Sequence, residues 1–263
     1  MKLKEIIAET SLKAAAKEVG LEYRMVDGRM ECTPVDPEDP RHCGDFFLPT
    51  AKMVEVCRAD DFDFFRPFIE AGRLTMEQMH RAAARYHLGK TRSGKSLFWM
   101  IDETQDPQDA HIGDEGWIST ALKAREPLLQ LWCPTHCLFG LHLLSTLNPV
   151  SIVESEASAV VLSELFPEVL WMAYATVDHL DVELFASLQG RKVTFYPATD
   201  PSGSTYLFFL DLAEAIRQRY NIHITVATIL EDHASPDQKD RCIDLLEFLL
   251  SSDKNRKNSD VNV

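Results

Sequence analysis

The feature that most constrains the fold is a regular alternation of apolar runs and helical patterns from Val150 almost to the end of the chain. Four runs rich in β-branched and aromatic residues alternate with four helical patterns, the latter marked by N-caps at Asp181 and Ser235 and a stop at Gly190. The runs are "VSIVES", "VLWMAYAT", "KVTFYPAT" and "IHITVATIL", and the helices are "ASAVVLSELFP", "DVELFASLQG", "SGSTYLFFLDLAEAIRQRY" and "SPDQKDRCIDLLEFLLS". Because parallel strands need crossover connections, this pattern predicts an α/β domain over residues 149–251, with a parallel sheet and helices on both faces.

Acidic residues follow two of the predicted strands. Glu154 and Glu156 follow the first, and Asp200 follows the third just before the turn at Gly203. Since ligands of such sheets bind beyond the carboxyl ends of the strands, these carboxylates predict a Mg²⁺ site that handles phosphates. The alternative is that Glu156 and Asp200 only cap helices and complement their dipoles.

The two strand-end stretches "VSIVESEASAVVLSELFP" and "GRKVTFYPATDPSGSTYLFFLDLAEAI" resemble the Toprim domain. This domain is the catalytic domain of bacterial primases, of type IA and II topoisomerases and of related nucleases. The resemblance covers roughly the last 100 residues, about one small domain. It implies that Glu154 is the general acid or base, that Asp200 is a metal-binding aspartate and that Gly203 closes the second motif.

The chain departs from the Toprim pattern at three positions. Ser155 replaces the glycine of the first motif, Ser158 its later aspartate, and Ala198 the first metal aspartate of the second motif. Mg²⁺ held by Glu154 and Asp200 alone is expected to bind weakly unless Glu156, Asp232 or a substrate phosphate completes the site.

The stretch "GKTRSGKS", Gly89 to Ser96, satisfies the pattern of a nucleotide-binding P-loop. A P-loop needs a strand before it and a helix after it, so that backbone N–H groups face the phosphates. Here the pattern before the loop is a helix with Thr75 as its N-cap, and "SLFWMIDE" after it predicts a strand. We therefore predict an exposed turn, whose cations Lys90, Arg92 and Lys95 are candidate phosphate contacts.

The segments "YHLGKTRSGKSLFWMID", "CLFGLHLL" and "IVESE" together resemble an uncharacterised bacterial Toprim-like family found in primase-type proteins of mobile elements. Larger members of that family carry an N-terminal zinc ribbon. In this chain residues 1–45 predict a helix, a hairpin about Asp27-Gly28 and a proline-rich acidic linker, which resemble an eroded ribbon. Residues 46–148 predict an α+β segment, and residues 252–263 a disordered polar tail.

The cysteines are predicted to be buried free thiols, and zinc binding is not expected. Structural zinc needs four ligands, and the cluster Cys133, His136 and Cys137 has only a thin set of Cys and His residues, 32, 42 and 43, to complete it. The tryptophans are predicted to lie in the core, because they fall in apolar runs, and His142 is predicted to be a satisfied core or boundary histidine.

The net charge of −14 argues against a broad nucleic-acid-binding surface, but it is compatible with a local basic patch. The chain shows no signal peptide pattern and no apolar run long enough for a membrane span, which predicts a cytoplasmic protein without a membrane partner.

Three functional hypotheses follow. The first is a Toprim-like, primase-related protein that binds Mg²⁺ weakly and handles single-stranded DNA or nucleotide phosphates. If it is active, it is a Mg²⁺-dependent nucleotidyl- or phosphotransfer enzyme. The second is an inactive Toprim fold kept as a binding module for a replication protein. The third, a P-loop ATPase, requires a helix after Ser96.

Overall fold

The computed structural model describes residues 51–113, 116–120, 136–144, 148–177 and 180–251, and the backbone of residues 21–26 and 29–34. The predicted N-terminal helix and the C-terminal tail lie outside these residues, as do Cys43, Cys133 and Trp132. Within the described ranges, no helix is both long and apolar enough to cross a bilayer.

The predicted N-terminal hairpin is present. Strand β1 (Leu21–Val26) pairs antiparallel with β2 (Arg29–Pro34), and the register places Val26 opposite Arg29. This register agrees with the hairpin predicted about Asp27-Gly28, which themselves lie outside the described residues.

Between residues 51 and 88, three described helices precede the second sheet: α1 (Ala51–Val56), α2 (Arg66–Glu70) and α3 (Met76–Arg85). Thr75 is the N-cap of α3, as predicted, and Gln78 completes a capping box with it. A short 3₁₀ helix (Asp63–Phe65) leads into α2.

A four-stranded antiparallel sheet follows, in the order β3-β4-β5-β6. Its strands are β3 (Gly89–Lys90), β4 (Ser96–Ile101), β5 (Pro107–Ile112) and β6 (Gly116–Trp117). The GKTRSGKS stretch is thus the turn between β3 and β4, and a strand begins at Ser96 where a P-loop needs a helix. The predicted order of helix, loop and strand is confirmed.

The C-terminal half contains the predicted parallel sheet, in the order β10-β9-β7-β8. Its strands, all parallel, are β7 (Val150–Val153), β8 (Leu170–Ala173), β9 (Lys192–Phe195) and β10 (His223–Val226). Helix α4 (Glu156–Leu165) follows β7, a 3₁₀ helix (Val182–Leu188) follows β8, and α5 (Ser204–Tyr220) follows β9. The α/β class predicted from the alternation is confirmed.

The end of the chain differs from the prediction of one helix after β10. Helix α6 (Ile229–His233) is followed by α7 (Pro236–Asp240), which Ser235 caps as predicted, and residues 245–251 form a separate helical segment. The break lies at Cys242, whose backbone is left-handed with φ 51°. The new helical segment begins after Asp244, whose carboxylate accepts the backbone N–H of Glu247.

The two faces of the parallel sheet are buried in two cores. On one face Val153, Trp171 and Ala173 pack with α4 and with the helices of the preceding segment. On the other face Val150, Ile152 and Met172 pack with α5 and the 3₁₀ helix. Side chains of successive strand residues point to opposite faces. All four residues of β7 and of β8 are therefore buried, although β7 includes the polar Ser151.

The predicted core positions are confirmed in part. Trp99 and Trp171 are buried, whereas Trp117 is partly buried. His142 is buried with its Nε2 atom 3.1 Å from the carbonyl oxygen of Arg85, but its Nδ1 atom has no hydrogen-bond partner among the described residues, and burial lowers its pKa to about 4. The described cysteines Cys57, Cys137 and Cys242 are free thiols, but Cys57 and Cys137 are only partly buried and Cys242 is exposed.

A buried carboxylate joins the two halves of the structure. Glu164 of α4 is 6% exposed and accepts hydrogen bonds of 2.5 Å from both Arg81 and Arg85 of α3. Next to this contact the Tyr86 hydroxyl donates to the carbonyl oxygen of Trp171 in β8. The polar contacts therefore fix α3 against the parallel sheet.

Glu164→Gln is expected to lower the free energy of unfolding by about 2 kcal/mol, because two guanidinium groups then lose their buried carboxylate. Glu214→Gln is the control, since Glu214 is an exposed partner of Arg217, and a much smaller change is expected there. Urea denaturation monitored by tryptophan fluorescence measures both. Equal changes in the two variants would contradict this role of Glu164.

Candidate functional site

The candidate site lies at the carboxyl ends of β7 and β8. Val153 of β7 pairs with Ala173 of β8, so the next residues along these strands, Glu154 and Tyr174, are neighbours. The backbone confirms this, since the N–H of Ala175 donates to the carbonyl oxygen of Glu154. In-register neighbours on parallel strands project from the same side of the sheet, which brings the carboxylate and the phenol together.

Glu154 is half-buried, and its pKa is raised. The main cause is desolvation, which disfavours the ionised form, and the next is the negative charge of Asp244. The Tyr174 hydroxyl partly offsets these effects, and Glu156 adds to them. The carboxyl group of Glu154 therefore holds its proton more tightly than an ordinary glutamate does.

Asp244 belongs to this site, although the sequence analysis did not identify it. The Ser158 hydroxyl donates to its Oδ2 atom, and the N–H of Thr199 donates to the carbonyl oxygen of the preceding residue, Ile243. Ser158 is the position at which the Toprim pattern has an aspartate, and its hydroxyl here binds a carboxylate from elsewhere in the chain. Asp244 and Glu247 have the spacing of a helix-capping signal before an apolar helical pattern. Recognising this signal would have ended the preceding predicted helix before Asp244 and would have marked Asp244 as a candidate site residue.

Asp200 follows β9 and caps the turn that leads into α5. Its Oδ1 atom accepts the N–H groups of Ser202 and Ser204, at 2.8 and 3.2 Å, and its Oδ2 atom accepts that of Thr205 at 2.7 Å. Desolvation acts against ionisation, but the hydrogen bonds from Ser202 and Thr205 outweigh it and hold the pKa well below the usual range. The capping role weighed as the alternative is therefore present, and metal binding by Asp200 stays a prediction.

Gly203 occupies the turn that Asp200 caps. Its φ of 70° is in the left-handed region, which favours glycine, and it is the residue before α5. The nearest atom to a side chain placed there is an oxygen of Glu231, at 3.9 Å, so the conformation rather than the space requires glycine.

Glu156 is the first residue of α4, and its carboxylate contacts the antiparallel sheet. Its Oε1 atom lies 2.8 Å from Nδ1 of His111, and the side chain is buried. The His111 ring in turn packs on Trp117, with ring centroids 5.0 Å apart. Glu156 therefore links the candidate site to β5 and β6, and its assignment as a metal ligand stays a prediction.

The three predicted phosphate-binding cations lie on the β3–β4 turn. The ammonium group of Lys90 lies over the ring of Phe62, 5.4 Å from the centroid, and Arg92 and Lys95 are exposed. Lys90 pairs with Ser96 at the start of β4, and the neighbouring Leu97 pairs with Ile112 of β5. The turn therefore lies at the same end of the antiparallel sheet as His111. Their role in phosphate binding stays a prediction.

The donor set fits Mg²⁺ only in part. Glu154 and Asp244 supply neighbouring carboxylates, which are the ligands Mg²⁺ uses together with water and substrate phosphates. Among the described residues, no three His, Cys, Asp or Glu side chains form a group that could hold a metal ion. A metal at this site would therefore need oxygen ligands from a phosphate, as the weak binding predicted from Ala198 implies.

The loop after β8 has a strained backbone. Ala175 has φ 64°, and the N–H of Thr176 donates to the carbonyl oxygen of Tyr174 at 2.8 Å, which makes a tight three-residue turn. A left-handed non-glycine residue costs about 1–2 kcal/mol, and such strain clusters at functional sites. The site thus combines a desolvated carboxylate with a strained turn.

Ala175→Gly is expected to raise the free energy of unfolding by up to about 1 kcal/mol, because glycine adopts a positive φ without strain. Ala215→Gly, within α5, is the control and is expected to lower it by about 1 kcal/mol. Chemical denaturation of both variants tests this difference. A destabilised Ala175→Gly variant would contradict the strain.

Glu154→Gln is expected to raise stability at neutral pH, because the raised pKa means that ionised Glu154 disfavours the folded state. In the wild-type protein the protonated Glu154 carboxyl favours the folded state. This stabilisation is lost as pH rises from about 4.3, the ordinary glutamate value, through the raised pKa of the folded protein. The gain from the substitution should therefore shrink on acidification towards pH ~4. Thermal unfolding followed against pH measures it, and a gain that grows on acidification would contradict the raised pKa.

Asp200→Asn is expected to act in the opposite direction. The lowered pKa of Asp200 means that its ionised form stabilises the folded state above the ordinary aspartate value of about 3.9. The substitution should lower stability at neutral pH, and the loss should diminish only as pH falls below that value. An unchanged melting temperature at neutral pH, measured by thermal unfolding, would contradict the stabilisation of the folded state by ionised Asp200.

Comparison with known proteins identifies the family. A family model described as "Domain of unknown function (DUF6371)" matches residues 64–199, just over half of the 263-residue chain. The match spans the antiparallel sheet and β7, β8 and β9, and it includes Glu154 but ends one residue before Asp200. No curated protein matches the chain. On the extent of this match, the chain belongs to the DUF6371 family.

Proposed function

We propose that this chain is a Toprim-like, primase-related protein of mobile-element replication or processing that binds nucleic-acid or nucleotide phosphates at Glu154, together with Mg²⁺. The observation that carries the proposal is the position of Glu154. It follows the central strand β7 of a parallel sheet, at the edge where such sheets bind ligands, beside a second carboxylate from Asp244. A desolvated carboxylate next to a second carboxylate is costly unless a cation or a proton neutralises it.

Mg²⁺ bound here would neutralise the carboxylates and polarise a phosphate oxygen. Glu154 and Asp244 are the residues that would hold it, and water and phosphate oxygens would supply the remaining ligands. Glu154 is also the residue suited to accept or return a proton, because its raised pKa lies closer to neutral pH than that of an ordinary glutamate.

Ala198 and Asp200 support a proposal of reduced catalysis. Ala198 is buried and has no oxygen to offer, and the Asp200 carboxylate already accepts three backbone N–H groups of its own turn. Fewer strong ligands mean weaker metal binding. Phosphate binding with a residual or lost transfer reaction is therefore the function that the geometry supports best.

Isothermal titration of Mg²⁺ and Mn²⁺, with and without a short single-stranded DNA, tests the proposal. We expect weak metal binding that DNA strengthens, and a loss of at least about tenfold in affinity in Glu154→Gln. Glu168→Gln is the matched control, because Glu168 is exposed and precedes β8, at the opposite edge of the sheet. Metal and DNA binding that is absent, or that is unchanged in Glu154→Gln, would overturn the proposal.

A second function, a binding module for a replication protein, is favoured by the exposed apolar face of α5. Leu207 is 59% exposed and Phe208 is 41% exposed, and Leu210 lies beside them. Exposed apolar patches mark interaction sites. Binding of a purified replication protein that is lost in Phe208→Ser and kept in Glu154→Gln would favour this function over the first.

A further inference from the structure

Two buried hydroxyl groups at the end of β8 remain without hydrogen-bond partners. Tyr174 is 5% exposed, and neither its hydroxyl nor that of Thr176 finds a partner in the part of the chain that the structure describes. The Tyr174 hydroxyl is close enough to the Glu154 carboxylate for a hydrogen-bonding interaction to lower the pKa of Glu154 and raise that of Tyr174. The two groups do not meet the distance and angles of a well-formed hydrogen bond, so the hydroxyl still has capacity for a ligand. Buried polar groups are nearly always paired, so each unpaired group requires an explanation.

The position of the Tyr174 hydroxyl is fixed. Its ring packs on Phe209 of α5, with centroids 5.4 Å apart, and the residue after it, Ala175, holds the strained turn. Thr176 follows on the other side of that turn. Tyr174 and Thr176 therefore flank one strained turn that follows β8, next to the end of β7 where Glu154 lies, and such strain clusters at functional sites.

The chemistry around these hydroxyls selects the ligand. Ionised Glu154 and Asp244 only accept hydrogen bonds, whereas the Tyr174 and Thr176 hydroxyls both donate and accept. A phosphate oxygen only accepts, and the carboxylates repel it in the absence of a cation. An alcohol group donates to a carboxylate and accepts from a phenol at once, and acidic residues bind ribose hydroxyls in this way in dinucleotide sites.

We propose that Tyr174 and Thr176, with Glu154, form a subsite for a sugar hydroxyl of the bound nucleotide or nucleic acid, and so favour ribose over deoxyribose. This inference rests on the proposed function, because it concerns the ligand of the same site. Tyr174 and Thr176 act as specificity-determining residues, whereas metal and phosphate binding depend on the carboxylates.

Fluorescence anisotropy with labelled single-stranded RNA and DNA of one sequence, in Mg²⁺, tests the subsite. We expect RNA to bind about five- to tenfold more tightly than DNA, the worth of one hydrogen bond. Tyr174→Phe and Thr176→Val should each reduce this ratio and leave the DNA affinity unchanged. Tyr220→Phe is the control and should keep the ratio, because the Tyr220 hydroxyl binds Glu183 at the other end of α5.

The outcomes separate the two proposals. Equal affinities for RNA and DNA in the wild-type protein, or a ratio that survives in both Tyr174→Phe and Thr176→Val, would overturn the sugar subsite and leave phosphate binding intact. No binding of either oligonucleotide would overturn both. The melting temperature of Tyr174→Phe gives an independent readout: we expect it to be unchanged or higher, and a large decrease would show that the hydroxyl is already paired within the protein.

Discussion

The parallel pairing of β7 with both β8 and β9 is the constraint on which the rest of the structure depends. It fixes which residues lie side by side at the carboxyl edge of the sheet, where Glu154, Tyr174 and the turn of Asp200 follow three neighbouring strands. Because β7 and β8 are buried on both faces, a shift of one residue in their pairing would move apolar side chains out of both cores. The position of Glu154 is therefore enforced by packing far from the carboxylate itself.

The site concentrates negative charge in a partly desolvated place, and the carboxylates of Asp200 and Glu154 are used differently. The carboxylate oxygens of Asp200 accept hydrogen bonds from N–H groups of its own turn, which stabilises the ionised form. Glu154 is desolvated and lies near the negative charge of Asp244, and the Tyr174 hydroxyl offsets these effects only in part, so the ionised form is destabilised. A fold that keeps a carboxylate in the second situation gains nothing in stability from it, and that is the reason for treating Glu154, rather than Asp200, as the functional acid.

Much of the fold was predictable, because it follows from hydrophobic periodicity and from helix-capping residues. The alternation after Val150 gave the parallel sheet, and the caps at Thr75 and Ser235 gave two helix starts that the structure confirms. Asp244 was missed for a physical reason. It reaches the site through a left-handed turn at Cys242, a conformation that few non-glycine residues adopt and that helical periodicity does not reveal. The unpaired hydroxyl of Tyr174 likewise depends on tertiary packing, and nothing in "LWMAYAT" distinguishes it from a core tyrosine.

The most direct test of the account is the pKa of Glu154, measured by ¹³C NMR titration of its carboxyl group in the wild-type protein and in Asp244→Asn. Asparagine keeps the capping role of Asp244 and removes only its charge. The account predicts a pKa above the ordinary value of about 4.3 in the wild-type protein, and a lower one both in Asp244→Asn and on addition of Mg²⁺. An ordinary pKa that neither Asp244→Asn nor Mg²⁺ changes would contradict a shared site at the end of β7.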